Sequence, residues 1–445
     1  MNTTTYVKPK NNLQKLMRVG DTLWLDVLLL LVTIALLGIL FIIKATRIGF
    51  GYNLFFFYTI LITVFQLFRL FAAVIFSPFI SSTSYSNKEA ISNYWPFVSI
   101  VIPCKNEEAV IANTLEKSFA ANYPKDKLEV IIINDGSTDN TLKEIGKVKK
   151  EHPELVVISW KNNKGKREGM AAGFRVAKGE IIVQLDSDSY IDPVSFRELI
   201  LPFHNKEVAA VCGHTDVANG DQNIITKMQS GYYFIAFRIL KAAESVFTSV
   251  FCCSGCSSAY RKEVVMPVLD RWINERFMGV QVKHGDDRSL TGWVLKLGYK
   301  TIYTHRAQAY TVAPSTMKQF VKQQIRWKKS WISNAYFTFS YIFKTDPLVG
   351  LFYFTPLIFI SLLTPFVAFY NIYLLSILEG SLPLYYLLGG LVITLLYMLY
   401  AWRYAQGANR HIAYFFLWQI LTVVFMSYII YYSLFNFRDQ RWGTR

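Results

Sequence analysis

Charge is almost absent from three long blocks of the chain, 23–43, 54–79 and most of 347–437. Apolar runs of about 18 residues or more predict membrane-spanning helices, which satisfy their own backbone polar groups where no water is present. Between the second and third blocks the pattern changes, and short apolar runs alternate with longer stretches of mixed polarity. The run 97–103, Phe-Val-Ser-Ile-Val-Ile-Pro, predicts a strand buried on both faces; 128–133, 155–159 and 180–185 predict three more. A helical pattern ending at Ala120 separates the first two. Strands alternating with helices predict an α/β domain whose mostly parallel sheet is covered on both faces. Ligands of such sheets bind beyond the carboxyl ends of the strands. The predicted organisation is a polar tail 1–22, two spans within 23–79, a Ser/Asn-rich linker 80–95 and an α/β domain 96–312. Amphipathic interface helices 313–346, spanning or re-entrant helices 347–437 and a terminal segment 438–445 follow.

Composition agrees with a membrane protein: 52% of the 445 residues are hydrophobic and the mean hydropathy is +0.26. The first block is long, lacks a small-residue cleavage site and is soon followed by a second, which predicts a retained helix instead of a cleaved leader. A net charge of +16 would suit nucleic acid in a soluble protein. Here it fits the positive-inside bias together with an anionic substrate, and no nucleic-acid partner is expected. Lys8, Lys10, Lys15 and Arg18 precede the first span, so the tail and the α/β domain are expected in the cytosol, with the link 44–53 outside. Cys104, Cys212, Cys252, Cys253 and Cys256 all fall in the middle segment without metal-type spacing, which predicts free thiols.

The polar motifs fall at strand ends. Asn134-Asp135-Gly136-Ser137-Thr138-Asp139 follows the second strand, where the Asp135 carboxylate can accept from a base or ribose; Ser137 and Asp139 equally suit helix capping. Asp186-Ser187-Asp188 follows the fourth and can bridge a divalent cation that also binds phosphates, with oxygen-only ligation of the kind Mg²⁺ or Mn²⁺ prefers. Lys164-Gly165-Lys166-Arg167 opens a helix and offers cations to a base or phosphate. The small residues of 252–259 let a bulky ligand approach the backbone. Cys256 has no partnered base in reach of sequence reading and is expected to pack, and His284 takes no assigned role. Gly285-Asp286-Asp287-Arg288 places two carboxylates together, and Gln323-Gln324-Ile325-Arg326-Trp327 joins a guanidinium to an indole. A sugar hydroxyl attacking an anomeric carbon needs a base, here Asp287, oriented by Asp286 and Arg288. A leaving nucleoside diphosphate needs a metal and a cation, here Arg326, with Trp327 as floor for the acceptor sugar. Roughly one strand and one amphipathic helix are expected between these motifs. Met317, Phe320, Val321, Gln324, Trp327 and Trp331 trace one helical face, so this helix is also expected at the membrane interface.

The last third divides into candidate segments 347–378, 384–402 and 413–435, with a basic link 403–410 and a basic end. Both basic pieces are expected in the cytosol, so the final segment should enter and return, or lie along the interface.

These motifs together resemble the membrane-embedded processive family-2 glycosyltransferases, which include cellulose, chitin and hyaluronan synthases. Asn163-Lys164-Gly165-Lys166-Arg167, the run from Tyr260 to Asn274 and the terminal Trp442-Gly443-Thr444-Arg445 are similar to the short bacterial hyaluronan synthases, over the chain from about residue 25 onward. The resemblance implies a GT-A-type α/β domain, inserted between transmembrane helices, that polymerises UDP-sugars with inversion at the plasma membrane and passes the polysaccharide through the bilayer. UDP-GlcNAc and UDP-GlcA would be the donors, a chitin-type single-sugar synthase or a lipid-linked single-sugar transferase the alternatives. Asp135 would contact uridine, with Lys166 and Arg167 around the nucleotide; Asp186 and Asp188 would hold UDP and Mg²⁺ or Mn²⁺. Asp287 would be the base, Arg326 would meet pyrophosphate, and Trp327, Gln323, Ser254, Gly255 and Cys256 would meet the acceptor. Trp442, Thr444 and Arg445 would close over the nucleotide. Hyaluronan synthases carry Ser-Gly-Pro where this chain has Ser254-Gly255-Cys256, a departure at the acceptor segment. A cation for the glucuronate carboxylate is expected from 164–167 or Arg288.

Overall fold

The computed structural model describes residues 53–75, 93–380, 384–405 and 410–439, with isolated helical positions between 28 and 42. The expected gating residues Trp442, Thr444 and Arg445, the basic tail and most of the first predicted span lie outside the described residues.

The sheet grows from β1 (Val98–Cys104), whose seven residues are all buried. Val98, Ile100 and Ile102 pack on one face of the sheet and Val101 on the other, as the two-residue period of a strand covered on both sides requires. Beside β1 run β2 (Leu128–Asp135), β3 (Val156–Trp160), β4 (Ile181–Gln184), β5 (Ser189–Ile191), β6 (Val208–Val217) and β7 (Ser258–Arg261). A short hairpin, β8 (Arg276–Phe277) and β9 (Val280–Gln281), precedes the long β10 (Lys300–Thr311). The order is β3-β2-β1-β4-β7-β6-β10-β5. β1 runs parallel to β2 and β4, β2 to β3, and β6 to β10. β7 is antiparallel to both β4 and β6. That reversal positions the site: Ser258, the first residue of β7, pairs with Gln184, the last of β4. The small-residue loop before β7 therefore meets the carboxyl end of β4, where Asp186 follows.

Among the helices, α1 (Asn53–Ile75) is the second predicted span. The sheet is covered by α2 (Ile111–Phe119) on one face and α4 (Lys166–Val176) on the other, with α3 (Thr141–Glu151) beside α2. α5 (Ile224–Ile235) starts at a capping box between Asn223 and Thr226 and runs on into a π-helical turn, Ala236–Lys241. α6 (Asp286–Lys296) and α7 (Met317–Phe339) carry the two central motifs. The first motif thus opens a helix itself, and helix, strand β10 and half of α7 separate it from Trp327, more helix than the sequence pattern suggested. One apolar core joins the sheet to Leu70, Ala72, Ala73 and Val74 of α1 and to Tyr397, Tyr400 and Trp418 of the last third.

Helices 57–75, 347–378 and 386–405 are long and apolar enough to cross a membrane. The final predicted segment is two helices, Ile412–Val424 and Met426–Phe435, bent by 54°, a geometry open to a broken span or a re-entrant passage. After it the chain comes back to α7: Lys329 donates to the Asp439 carbonyl, and the Phe437 and Phe277 rings meet edge-on at 4.7 Å.

Candidate active site

A cavity of about 1360 Å³ opens at the carboxyl ends of β1, β2 and β4 and reaches α6 and α7. At its β2 end, Asp135 accepts backbone hydrogen bonds from Lys164 (2.6 Å) and Gly165 (2.9 Å). This carboxylate ties the 163–165 loop to the strand and still faces the cavity. Asp139 is a local cap: its carboxylate takes the Thr141 hydroxyl and the Thr141 and Glu108 N–H groups. Lys164 lies over the Trp160 ring, 4.4 Å from its centre.

At the β4 end, Lys166 bridges two carboxylates, 2.7 Å from Asp186 Oδ1 and 2.9 Å from Asp286 Oδ2. One ammonium cannot neutralise both. Burial pushes the Asp186 carboxyl up against the pull of Lys166, and Asp188 and Asp286 add to the rise. At Asp286 burial also opposes ionisation, but the Lys166 ammonium prevails and holds the group below the usual carboxylate range. Asp188 Oδ1 accepts from the Ser189 hydroxyl (3.1 Å) and the Thr311 hydroxyl (3.5 Å). Asp186 and Asp286 thus share one lysine while Asp188 acts on Asp186, an excess of negative charge that a divalent cation would balance. No group of three or more His, Cys, Asp or Glu suited to a metal occurs among the described residues. The two carboxylates Asp186 and Asp188 fit a hard cation that would take its remaining ligands from phosphates and water, the habit of Mg²⁺ and Mn²⁺.

Asp286 and Asp287 occupy the first turn of α6, where the helix N-terminus favours carboxylates. Adjacent helical positions diverge, so Asp286 turns to Lys166 and Asp287 to the loop before β7. Asp287 Oδ2 accepts from the Gly255 N–H (3.2 Å) and lies 3.7 Å from Cys252 Sγ, and Oδ1 accepts from the Arg288 backbone N–H at 2.7 Å. The expected hold on Asp287 by the Arg288 guanidinium is instead this backbone bond. Gly255 also accepts from the Asp186 N–H at 2.9 Å. A methyl group there would sit 2.7 Å from Asp186 Oδ1, so glycine lets the nucleotide-end and base-end carboxylates share one turn of backbone. Gly285 has φ +70, and a Cβ on it would fall 1.8 Å from Ser330 Oγ; α6 starts directly against α7.

Gln323, Arg326 and Trp327 line the opposite wall. Trp327 lies 6.2 Å from the Tyr233 ring, centre to centre. Buried Gln323 Oε1 has no hydrogen-bond partner among the described residues, which marks this wall as prepared for a polar ligand. Ser254 also lines the cavity.

Arg167 and Cys256 are engaged within the protein itself. Arg167 is buried and spends its guanidinium on Glu275 (2.9 Å) and on the carbonyls of Trp272 (2.8 Å) and His284 (3.3 Å); it braces the wall of the cavity. Cys256 Sγ is buried 3.8 Å from Asp186 Oδ2; burial, then the Asp186 and Asp188 charges, push its thiol far up, in keeping with packing. Burial and Asp287 likewise raise the Cys252 thiol to about 12. His284 is held down to about 4 by burial and the nearby Lys329 and Arg326 charges, so it is neutral at physiological pH. Sequence reasoning missed Lys241, Lys328, Tyr232 and Tyr233, all cavity-lining. The Lys328 signal, a cation directly after Arg326-Trp327, was absorbed into the reading of an interfacial helix.

Residues 99–269 match the model of Glycosyl transferase family 2. The chain is 30% identical over 357 residues to the hyaluronan synthase of Streptococcus pyogenes serotype M1, covering 78% of this chain and 83% of that one. An N-acetylglucosaminyltransferase of Mesorhizobium japonicum is 31% identical over 237 residues, covering 53% of this chain and 56% of the relative. Among solved structures, the mannosyltransferase PcManGT of Pyrobaculum calidifontis, in complex with GDP-Man and Mn²⁺, superposes with a TM-score of 0.52 at 19% identity over 81% of this chain and 99% of that one. The fold is therefore that of a GT-A glycosyltransferase. The chain belongs to the family-2 glycosyltransferases, in the same family as the streptococcal hyaluronan synthases.

Proposed function

We propose that this glycosyltransferase is a processive, inverting synthase that builds hyaluronan from UDP-GlcNAc and UDP-GlcA in the cytosol and passes it across the plasma membrane between its own helices. The observation that carries this reading is the meeting, in one cavity of a domain whose apolar core is shared with the apolar helices, of Asp135, Asp186, Asp188, Asp287 and the Arg326-Trp327 pair. Asp135 with the 163–165 loop receives the uridine. Asp186 and Asp188 would hold Mg²⁺ or Mn²⁺, which would supply charge neutralisation of the diphosphate. Lys166 and Arg326 contribute fixed positive charge beside it. Asp287 takes the proton of the acceptor hydroxyl as that oxygen attacks the anomeric carbon. The bond to the diphosphate oxygen breaks, and UDP leaves with the electron pair. A positioned base is worth on the order of 10²–10⁴-fold. Trp327 and Tyr233 offer apolar faces to the acceptor sugar. One base with no second carboxylate nucleophile implies inversion.

A single-sugar synthase is the second reading, favoured by the similarity to the rhizobial N-acetylglucosaminyltransferases. Donor omission separates them. Purified protein with Mn²⁺ is given each UDP-sugar alone and both together, and the product is digested with hyaluronidase. Polymer only with both donors, and sensitive to the enzyme, is the expected result; polymer from one donor overturns the copolymer reading.

A further inference from the structure

Several cations line the cavity, and some are already committed. Lys166 is shared by Asp186 and Asp286, Arg167 is bonded to Glu275, and Lys241 donates to the Cys252 carbonyl. Arg288 and Lys328 differ. Both line the cavity, yet neither side chain makes a hydrogen bond or ion pair among the described residues. Arg288 stands on the first turn of α6 beside Asp287, and Lys328 follows Trp327 on α7, which packs against α6. They are near neighbours: burial, with the Arg288 charge, lowers the Lys328 ammonium. Asp287 and Glu244 lie close enough to favour the Arg288 charge, but Asp287 is bonded to backbone N–H groups and Glu244 to the Phe251 N–H and the Tyr353 hydroxyl. Lys328, half-buried beside Arg288 and without a counter-ion of its own, carries an electrostatic cost that a bound anion removes.

The place of the pair indicates which anion. The diphosphate end of the cavity is defined by Asp186, Asp188 and Lys166 at the strand ends. Arg288 instead neighbours Tyr232 and Cys252. Tyr232 stacks on Trp418 of the final bent helices at 3.8 Å and also senses Arg69 of α1. The pair therefore faces the side of the cavity that borders the spanning helices, next to the acceptor-wall indole Trp327. A guanidinium fork and a flexible ammonium are matched to a carboxylate held by both.

We propose that Arg288 and Lys328 form a subsite for the carboxylate of a uronate residue in the acceptor chain. This assignment rests on the copolymer reading above. It makes the pair specificity-determining for one of the two alternating additions, the one onto a uronate end.

The test uses full-length protein in detergent or nanodiscs with two short oligosaccharide acceptors, one ending in a uronate and one in N-acetylglucosamine, and scores single additions from the matching donor. Loss of a charged contact to a carboxylate is expected to reduce transfer onto the uronate-ended acceptor on the order of tenfold or more in Lys328→Met and Arg288→Met. Lys328→Arg should retain most of it. Transfer onto the neutral-ended acceptor should change far less in Lys328→Met, and UDP affinity should stay at the wild-type value, which also reports a folded protein. Equal loss on both acceptors, or a loss matched by weaker UDP binding, overturns the subsite and leaves the copolymer reading standing. If wild-type protein uses no uronate donor at all, the copolymer reading itself fails, and the subsite with it.

Discussion

Replacing Lys166 by Met removes the ammonium that Asp186 and Asp286 share at 2.7 and 2.9 Å while keeping most of the side-chain volume. The side chains of Asp286, Lys166 and Asp186 are 5, 21 and 26% exposed, so this is a mostly buried cluster. Removing one partner from a buried ion pair costs about 3–5 kcal/mol, and the partial exposure of Asp186 reduces this to roughly 2–4 kcal/mol. The assay is thermal melting of purified protein from pH 5 to 8, without nucleotide. A drop in melting temperature on the order of 5 °C is expected at pH 8. In the wild type, Asp286 lies below the ordinary carboxylate value, so its contribution is fully present above that value and is lost only as pH falls through the lower folded one; across pH 5–8 it is flat. In Lys166→Met both carboxyls are pushed up by burial without the lysine's opposing charge, so protonation relieves the strain and the deficit should shrink toward pH 5. Divalent cations should narrow it as well, whereas Lys166→Arg should melt near the wild type. A variant that melts with the wild type at pH 8, or whose deficit is the same at every pH, refutes this balance of charge around Lys166.

Three other outcomes follow from the same geometry. Asp287→Asn should lower polymer synthesis on the order of 10²–10⁴-fold while UDP-sugar affinity measured by calorimetry stays within a few-fold; comparable synthesis would show that the base lies elsewhere. Gly285→Ala introduces a Cβ 1.8 Å from Ser330 Oγ at φ +70 and should destabilise the protein by at least about 1–2 kcal/mol from backbone strain alone. Adding Ser330→Gly should recover only the steric part, read as a melting temperature between the two. His284 is neutral down to about pH 4, so its stabilising contribution is whole above the usual histidine value and declines as pH falls from there toward 4. His284→Gln should therefore flatten the loss of stability below pH 6.5 without moving the pH profile of kcat, and a shifted profile would make this residue part of the chemistry.

Strand patterns were the most legible part of the chain. The predicted runs 97–103, 128–133, 155–159 and 180–185 correspond to Val98–Cys104, Leu128–Asp135, Val156–Trp160 and Ile181–Gln184; in the first, second and fourth, β-branched residues buried on both faces leave an uninterrupted apolar signature, while the third is a partly exposed edge strand. The carboxylates were legible for the same reason: Asp135, Asp186 and Asp188 stand where apolar strands stop. The antiparallel insertion of β7 between β4 and β6 was not, since the period of a strand carries no direction. Arg167 and Lys166 look equivalent in sequence, yet one residue's step around the helix sends the first to Glu275 and the second to Asp186 and Asp286. Lys328 was hidden because a lysine beside a tryptophan on an amphipathic helix has an ordinary interfacial explanation.

The reversed strand β7 ties these observations together. Had β7 run parallel to β4, its preceding loop would lie at the opposite edge of the sheet, and Gly255 could not give its N–H to Asp287 and its carbonyl to the Asp186 N–H. Those two bonds set the spacing between the carboxylate at the nucleotide end and the one at the acceptor end through a single residue without a side chain. The same turn carries Cys252 beside Asp287 and Ser254 on the cavity wall, so movement at 252–256 changes both ends at once. A substitution that shifts this loop should therefore alter donor and acceptor KM together, whereas one on α7, such as Trp327→Ala, should alter the acceptor term alone.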